Sequence, residues 1–340
     1  MDGVSQGYVV RGLLGLAPVA LFLAALVLLD SYKLVKLRVV VAIVGAGVVM
    51  AGTSYLLADQ LLGWLPLDFK TYTRYVAPPI EELLKAAVIV ALIRMHRIGF
   101  LVDAAILGFA VGTGFALGEN VYYLRLAGDA GIGTWFARGL GTAIMHGGAT
   151  AIFAVMGLAM LERAGNARLR AYLPGFVLAV VLHSAYNHFF FSPFISAIGI
   201  AIALPLLLNA VFARSEAAVG EWLGKGFDAD AEMLSMIDSG KLTGTPVGKY
   251  LHELKDKFQG PIVADLLCYV KLHTELALRA KGILMMRESG FDVPVDEPTR
   301  EKFAELDYLE KSIGRTGRLA IQPMLHMSHK DLWQLYMLGK

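Results

Sequence analysis

Seven long apolar stretches, at about 10–29, 38–58, 75–94, 99–123, 138–161, 172–191 and 194–213, constrain this chain more than any other feature. A run of about 20 such residues crosses the hydrocarbon core of a bilayer as a helix. The backbone has no water to pair with there, so its hydrogen bonds must close within the segment. The expected fold is all-α, a polytopic membrane helical bundle of about seven transmembrane helices. The charges mark where the bundle ends. Of the 60 charged residues, 36 fall in 214–340, so the chain is expected to divide into a transmembrane domain, 1–213, and a soluble helical domain, 214–340.

The short loops set an expected orientation. Lys33, Lys36 and Arg38, then Arg94 and Arg97, then Arg163, Arg168 and Arg170 load one side; the other carries Arg11, Lys70, Arg74, Arg125 and Arg138. The positive-inside rule puts the N-terminus outside and 214–340 in the cytoplasm. The first apolar stretch lacks a basic leader and a small-residue cleavage site, so it reads as a retained helix. The segment Asp59–Arg74 mixes Trp64, Leu67, Phe69 and Tyr72 with charges and suits the interface. In the tail, Ala217–Leu234, Pro246–Phe258, Ile262–Met286 and Arg300–Lys311 read as helices. Charges inside Ile262–Met286 make it an amphipathic core helix rather than a further span. The single cysteine, Cys268, excludes an intrachain disulfide and a four-thiolate zinc site. No basic run suits nucleic acid.

Ionisable groups at membrane depth cost about 2.5–3.5 kcal/mol each on insertion scales, yet they recur in four consecutive stretches. The third has Pro78-Pro79-Ile80-Glu81-Glu82-Leu83-Leu84-Lys85. Pro79 suits a first helical turn, and carboxylates just after it meet the positive end of the helix dipole. Glu81 and Lys85, four apart, can pair on one face, with Glu82 turned about 100° away. The bland alternative is a solvated helix start. The fourth stretch carries Gly108, Gly112, Gly114 and Gly118, spaced for close helix packing, then Glu119-Asn120. In the fifth, His146 lies between Thr142 and Thr150 on one face; a lone packing histidine is its bland reading. The sixth has His183-Ser184-Ala185-Tyr186-Asn187-His188, where Asn187 shares a face with His183 and can fix its tautomer or bind a substrate oxygen.

Each feature alone has an ordinary structural explanation. Together, three glutamates and two histidines in adjacent spans can assemble a water-activating site. A glutamate can act as general base while histidines polarise a carbonyl, or glutamate and histidine can hold a divalent metal that activates water. Gly3-Val4-Ser5-Gln6-Gly7 matches a nucleophile-elbow pattern, but no strand precedes it. No H-E-x-x-H signature occurs.

The order E-E-x-x-K at Glu81–Lys85, G-E-N-x-Y-Y at Gly118–Tyr123, His146, and H-S-x-x-N at His183–Asn187 resembles the PrsW family of intramembrane proteases, itself similar to the CAAX prenyl endopeptidases. The resemblance covers about residues 10–213 and leaves the tail outside it. It implies an endopeptidase that cuts membrane-associated proteins or peptides, with anti-sigma factors among its substrates, in a bacterial cell membrane. It implies catalysis by Glu81, Glu82, His146 and His183, with Lys85, Glu119, Asn120 and Asn187 supporting the site or positioning substrate. Glu82, His146 and His183 are the metal candidates, for a divalent ion such as zinc, and a metal-free glutamate chemistry stays open beside it. Glu82→Ala is expected to be folded and inactive. Besides a membrane substrate and the bilayer, a second copy of the chain is a possible partner. Two rival readings are a proton-coupled transporter or channel using the same groups, for which no inverted repeat is visible, and a non-catalytic membrane receptor.

Overall fold

The computed structural model describes residues 3–64, 66–127, 129–164, 169–291, 293–325, 330, 333–334 and 337–338. Arg168, one of the loop cations expected to set the orientation, lies outside them. Among these described residues ten longer helices follow in order: α1 (Gly3–Leu28), α2 (Leu37–Trp64), α3 (Ala77–Arg94), α4 (Leu101–Leu126), α5 (Ala143–Ala164), α6 (Leu173–Asn187), α7 (Pro193–Asp238), α8 (Pro246–Glu253), α9 (Gly260–Glu288) and α10 (Glu297–Ile321). No strand occurs among the described residues, and the all-α polytopic class is as expected. The chain forms two compact units, Met1–Glu216 and Ala217–Lys340.

Among the described residues, six helices are long and apolar enough to cross a membrane. The expected third span is the exception. Helix α3 forms, with Pro78 and Pro79 in its first turn, but it has only 18 residues and carries Glu81, Glu82, Lys85 and Arg94. Its charges are affordable because Glu82 and Lys85 are buried in the bundle rather than turned to lipid. A short helical turn, Phe69–Thr71, precedes it. Asp68 caps that turn by accepting a 2.5 Å bond from the Thr71 amide, which holds its carboxyl below the usual range. The last span and the first tail helix, read as separate segments, are one 46-residue helix, α7. Between them Ala213-Arg214-Ser215-Glu216-Ala217-Ala218 contains no breaker, so nothing stops the helix.

Helix α4 is the core of the membrane unit: every residue from Val102 to Ala116 is buried. Helices α2 and α5 flank it, and glycine sets how near they come. A Cβ added to Gly114 would lie 1.9 Å from the Val44 carbonyl oxygen, and one on Gly112 would lie 2.3 Å from that of His146. Backbone stands against backbone at both points. Gly114→Leu is therefore expected to cost about 3 kcal/mol, the upper part of the overpacking range, and to reduce recovery of folded, monodisperse protein in detergent. Gly45→Leu, with open space around its Cβ position, is the control that should behave as wild type.

The second unit has its own core, built around Leu251, Leu266, Val270, Leu306, Leu309 and Ile313. Helix α10 kinks at Gly314, whose φ of 63° suits glycine at little steric cost.

Candidate active site

Two π-helical turns deliver the site. Tyr72–Val76 leads into α3 and Ala137–Thr142 leads into α5. Such turns shift the register of the helix they lead into, and they recur at functional positions. Helix α6 is fastened to the first of them. The Ser184 hydroxyl donates to the Arg74 carbonyl at 2.6 Å, and Asn187 Nδ2 donates to the Thr73 carbonyl at 2.8 Å. These bonds fix the height of α6 beside α3 and so bring His183 onto Glu82.

The polar side chains of α3, α4, α5 and α6 form one continuous series of contacts. Glu119 Oε2 lies 3.2 Å from His146 Nε2. His146 Nδ1 is 3.0 Å from Lys85 Nζ, which is 2.5 Å from Glu82 Oε1. The same Glu82 oxygen lies 2.8 Å from His183 Nδ1, and His183 Nε2 is 3.8 Å from Glu81 Oε2. The two imidazole rings meet edge to face at 4.7 Å. Glu82, Lys85, His146 and His183 are buried, whereas the Glu81 and Glu119 side chains keep 16% and 17% of their surface. Glu81 and Glu119 are thus the open edge of an otherwise closed cluster.

The network assigns the tautomers. An ammonium has only donors, so Lys85 donates to Glu82 and to Nδ1 of His146, whose Nε2–H then donates to Glu119. At His183 the Nδ1–H donates to Glu82, which leaves the Nε2 lone pair toward Glu81. A carboxylate behind an imidazole fixes ring orientation and raises its basicity.

Several details differ from the sequence reading. Lys85 pairs with Glu82, three residues away, rather than with Glu81; both spacings share a helix face, and the fully buried lysine takes the buried acid. Asn187 holds the Thr73 carbonyl, while Glu82 takes the role of orienting His183. Glu81, His146 and His183 each offer one donor atom, all within 4.8 Å of one another, so Glu81 stands where the expected metal candidates had Glu82. Asn120 ties the wall together: Nδ2 donates to the Gly15 carbonyl at 2.7 Å and Oδ1 accepts from Arg138 Nε at 2.9 Å.

Arg138 is the site residue that sequence reasoning passed over as a loop cation. It lies 3.3 Å from Glu119 and covers the Tyr123 ring at 3.8 Å. Its signal was the repeated step of four through Arg138, Thr142 and His146, which continues one helix face back from the histidine.

A carboxylate with two imidazoles is a donor set used by catalytic zinc. His183 Nε2 is available to an ion, and His146 can offer a nitrogen by giving up its contact with Lys85 or with Glu119. The residues present fit such an ion.

A family profile described as PrsW family intramembrane metalloprotease matches residues 35–213, which contain every side chain of the cluster. No curated protein and no solved structure matches the chain. The match spans more than half of the 340 residues: the chain belongs to the PrsW family of intramembrane proteases.

Proposed function

We propose that this chain hydrolyses peptide bonds of membrane-associated proteins at the cluster of Glu81, His146 and His183. The observation that carries the reading is the meeting of these three donors within 4.8 Å inside a membrane unit. Water reaches the cluster past Glu81 and Glu119, its two partly exposed carboxylates. Glu81, His146 and His183 would hold a divalent ion such as zinc, which when bound lowers the pKa of water and polarises the scissile carbonyl. Glu82 holds the proton on His183 Nδ1 and keeps Nε2 pointed at the reacting region. Lys85 balances the charge of Glu82 and holds His146 through Nδ1. Glu119, held by Arg138, accepts the Nε2–H of His146 only while no ion is bound; with Nε2 given to the ion, Glu119 can take or return a proton at the open edge.

The charge bias of the loops supports a cytoplasmic position for Ala217–Lys340. The family resemblance supports a single-span, anti-sigma-factor-like protein as the substrate to try first. The test is cleavage of a library of single-span substrates by the purified protein in nanodiscs, with and without a chelator. Chelation is expected to abolish cleavage and added zinc to restore it. Cleavage that resists chelation would assign the chemistry to Glu81 without an ion, and no cleavage of any substrate would count against the peptidase reading.

A further inference from the structure

Within Ala217–Lys340, Trp222, Gly226 and Asp230 follow at steps of four along one face of α7. Lys281 of α9 lies across that face. A Cβ on Gly226 would fall 2.6 Å from Lys281 Cε, so the glycine makes room for the lysine stem. The Lys281 ammonium sits 2.5 Å from Asp230 Oδ2 and 5.0 Å over the Trp222 ring. Beside this buried pair is a cavity of about 200 Å³ whose wall includes Met233, Met236, His273, Thr274, Met324 and Gln334. Gln334 is 1% exposed, and its Oε1 has no hydrogen-bond partner among the described residues. Buried acceptors are normally satisfied, so an orphaned one beside an open volume marks a position for a donor from outside the chain.

We propose that this cavity binds a small molecule that presents N–H donors from a single ring or short chain: an amine, an amidine or an aminated heteroaromatic base. Three features select that chemistry. The wall offers acceptors, namely Gln334 Oε1, the Asp230 carboxylate and the exposed Glu232 at the rim; the Thr274 hydroxyl spends its proton on the Val270 carbonyl at 2.9 Å and keeps its lone pairs. Apart from the His273 imidazole, two carboxylates face one ammonium, which favours a cation and disfavours an anion. The volume suits one ring, since an apolar cavity of about 150 Å³ holds a benzene, and methionine sulfur packs well on aromatic edges. This site is independent of the peptidase reading.

The test is calorimetric titration of the full-length protein in nanodiscs with benzamidine and 2-aminopyridine, using benzoate and toluene as controls. Saturable binding of the two N–H probes alone is expected. Gln334→Met should weaken it at least about tenfold, the scale of one charge-assisted hydrogen bond. Without ligand, Gln334→Met should melt at or above wild type, because it removes an unsatisfied buried group. Ala277→Leu, which fills the cavity with carbon and spares every polar group, should block binding too. The proposal is overturned by no saturable binding to wild type, by equal binding of benzoate, or by affinity retained in either variant. A lower melting temperature for Gln334→Met overturns it as well, since that glutamine would then already be satisfied.

Discussion

Exchanging Glu81 for glutamine is expected to lower cleavage by about 10²–10⁴-fold, the range for losing a positioned acid–base group, while the protein folds as wild type. Glutamine keeps the shape of the side chain but loses the charge and most of the affinity for a proton or an ion. Stability should hold because Glu81 is a partly exposed acid at the edge of the cluster: the one ion pair it makes among the described residues is with His183 Nε2 at 3.8 Å, and Lys85 is neutralised by Glu82. The readouts are the rate of substrate cleavage and the melting temperature in the same nanodisc preparation. A Glu81→Gln protein that still cuts at near the wild-type rate would remove Glu81 from the chemistry under both the metal and the metal-free route.

Glu82→Ala is expected to fail in a different way. The sequence alone suggests a folded, inactive variant, but the structure changes the first half of that expectation. Lys85 is fully buried, and Glu82 is the carboxylate bonded to it. Removing one partner of a buried ion pair strands the other charge, at a cost of about 3–5 kcal/mol. Glu82→Ala should therefore melt well below wild type, and Lys85→Met should do the same. The double variant Glu82→Gln, Lys85→Met removes both charges at similar volume and should recover much of the lost stability. It should stay inactive, because the charged carboxylate behind His183 Nδ1 is gone. Normal melting of Glu82→Ala would sink this account of the pair.

The contrast between these neighbours shows how far the sequence could be read. The E-E-x-x-K spacing placed two acids and a lysine on a helix, and it allowed Lys85 either partner. Which acid is buried depends on how α3 is rotated about its own axis, and that rotation is set by helices distant in sequence. The same holds for Asn187. Its spacing from His183 suggested a direct bond, but the π-helical turn Tyr72–Val76 supplies a nearer acceptor at the Thr73 carbonyl. No local pattern announces that turn. Arg138 shows the opposite case, where a four-residue step visible in the sequence was read only as a loop charge.

What the sequence determined by itself is the class of fold and most of the polar residues that the bundle brings together. Lipid offers the backbone no partners, so long apolar runs become helices whatever their neighbours, and charges inside them must turn toward one another. The count of spans was less secure, because the helix richest in site residues is also the least apolar. What only the tertiary structure decided is pairing. Gly112 and Gly114 let α4 approach α5 and α2 to backbone contact, the π turns set the register of α3 and α5, and Ser184 and Asn187 set the height of α6. Hydrogen bonds are made over a few ångströms, whereas helical periodicity fixes a side chain only to a face. Depth, rotation and register therefore decide that Glu82 serves Lys85 and His183 while Glu81 faces the open edge of the cluster.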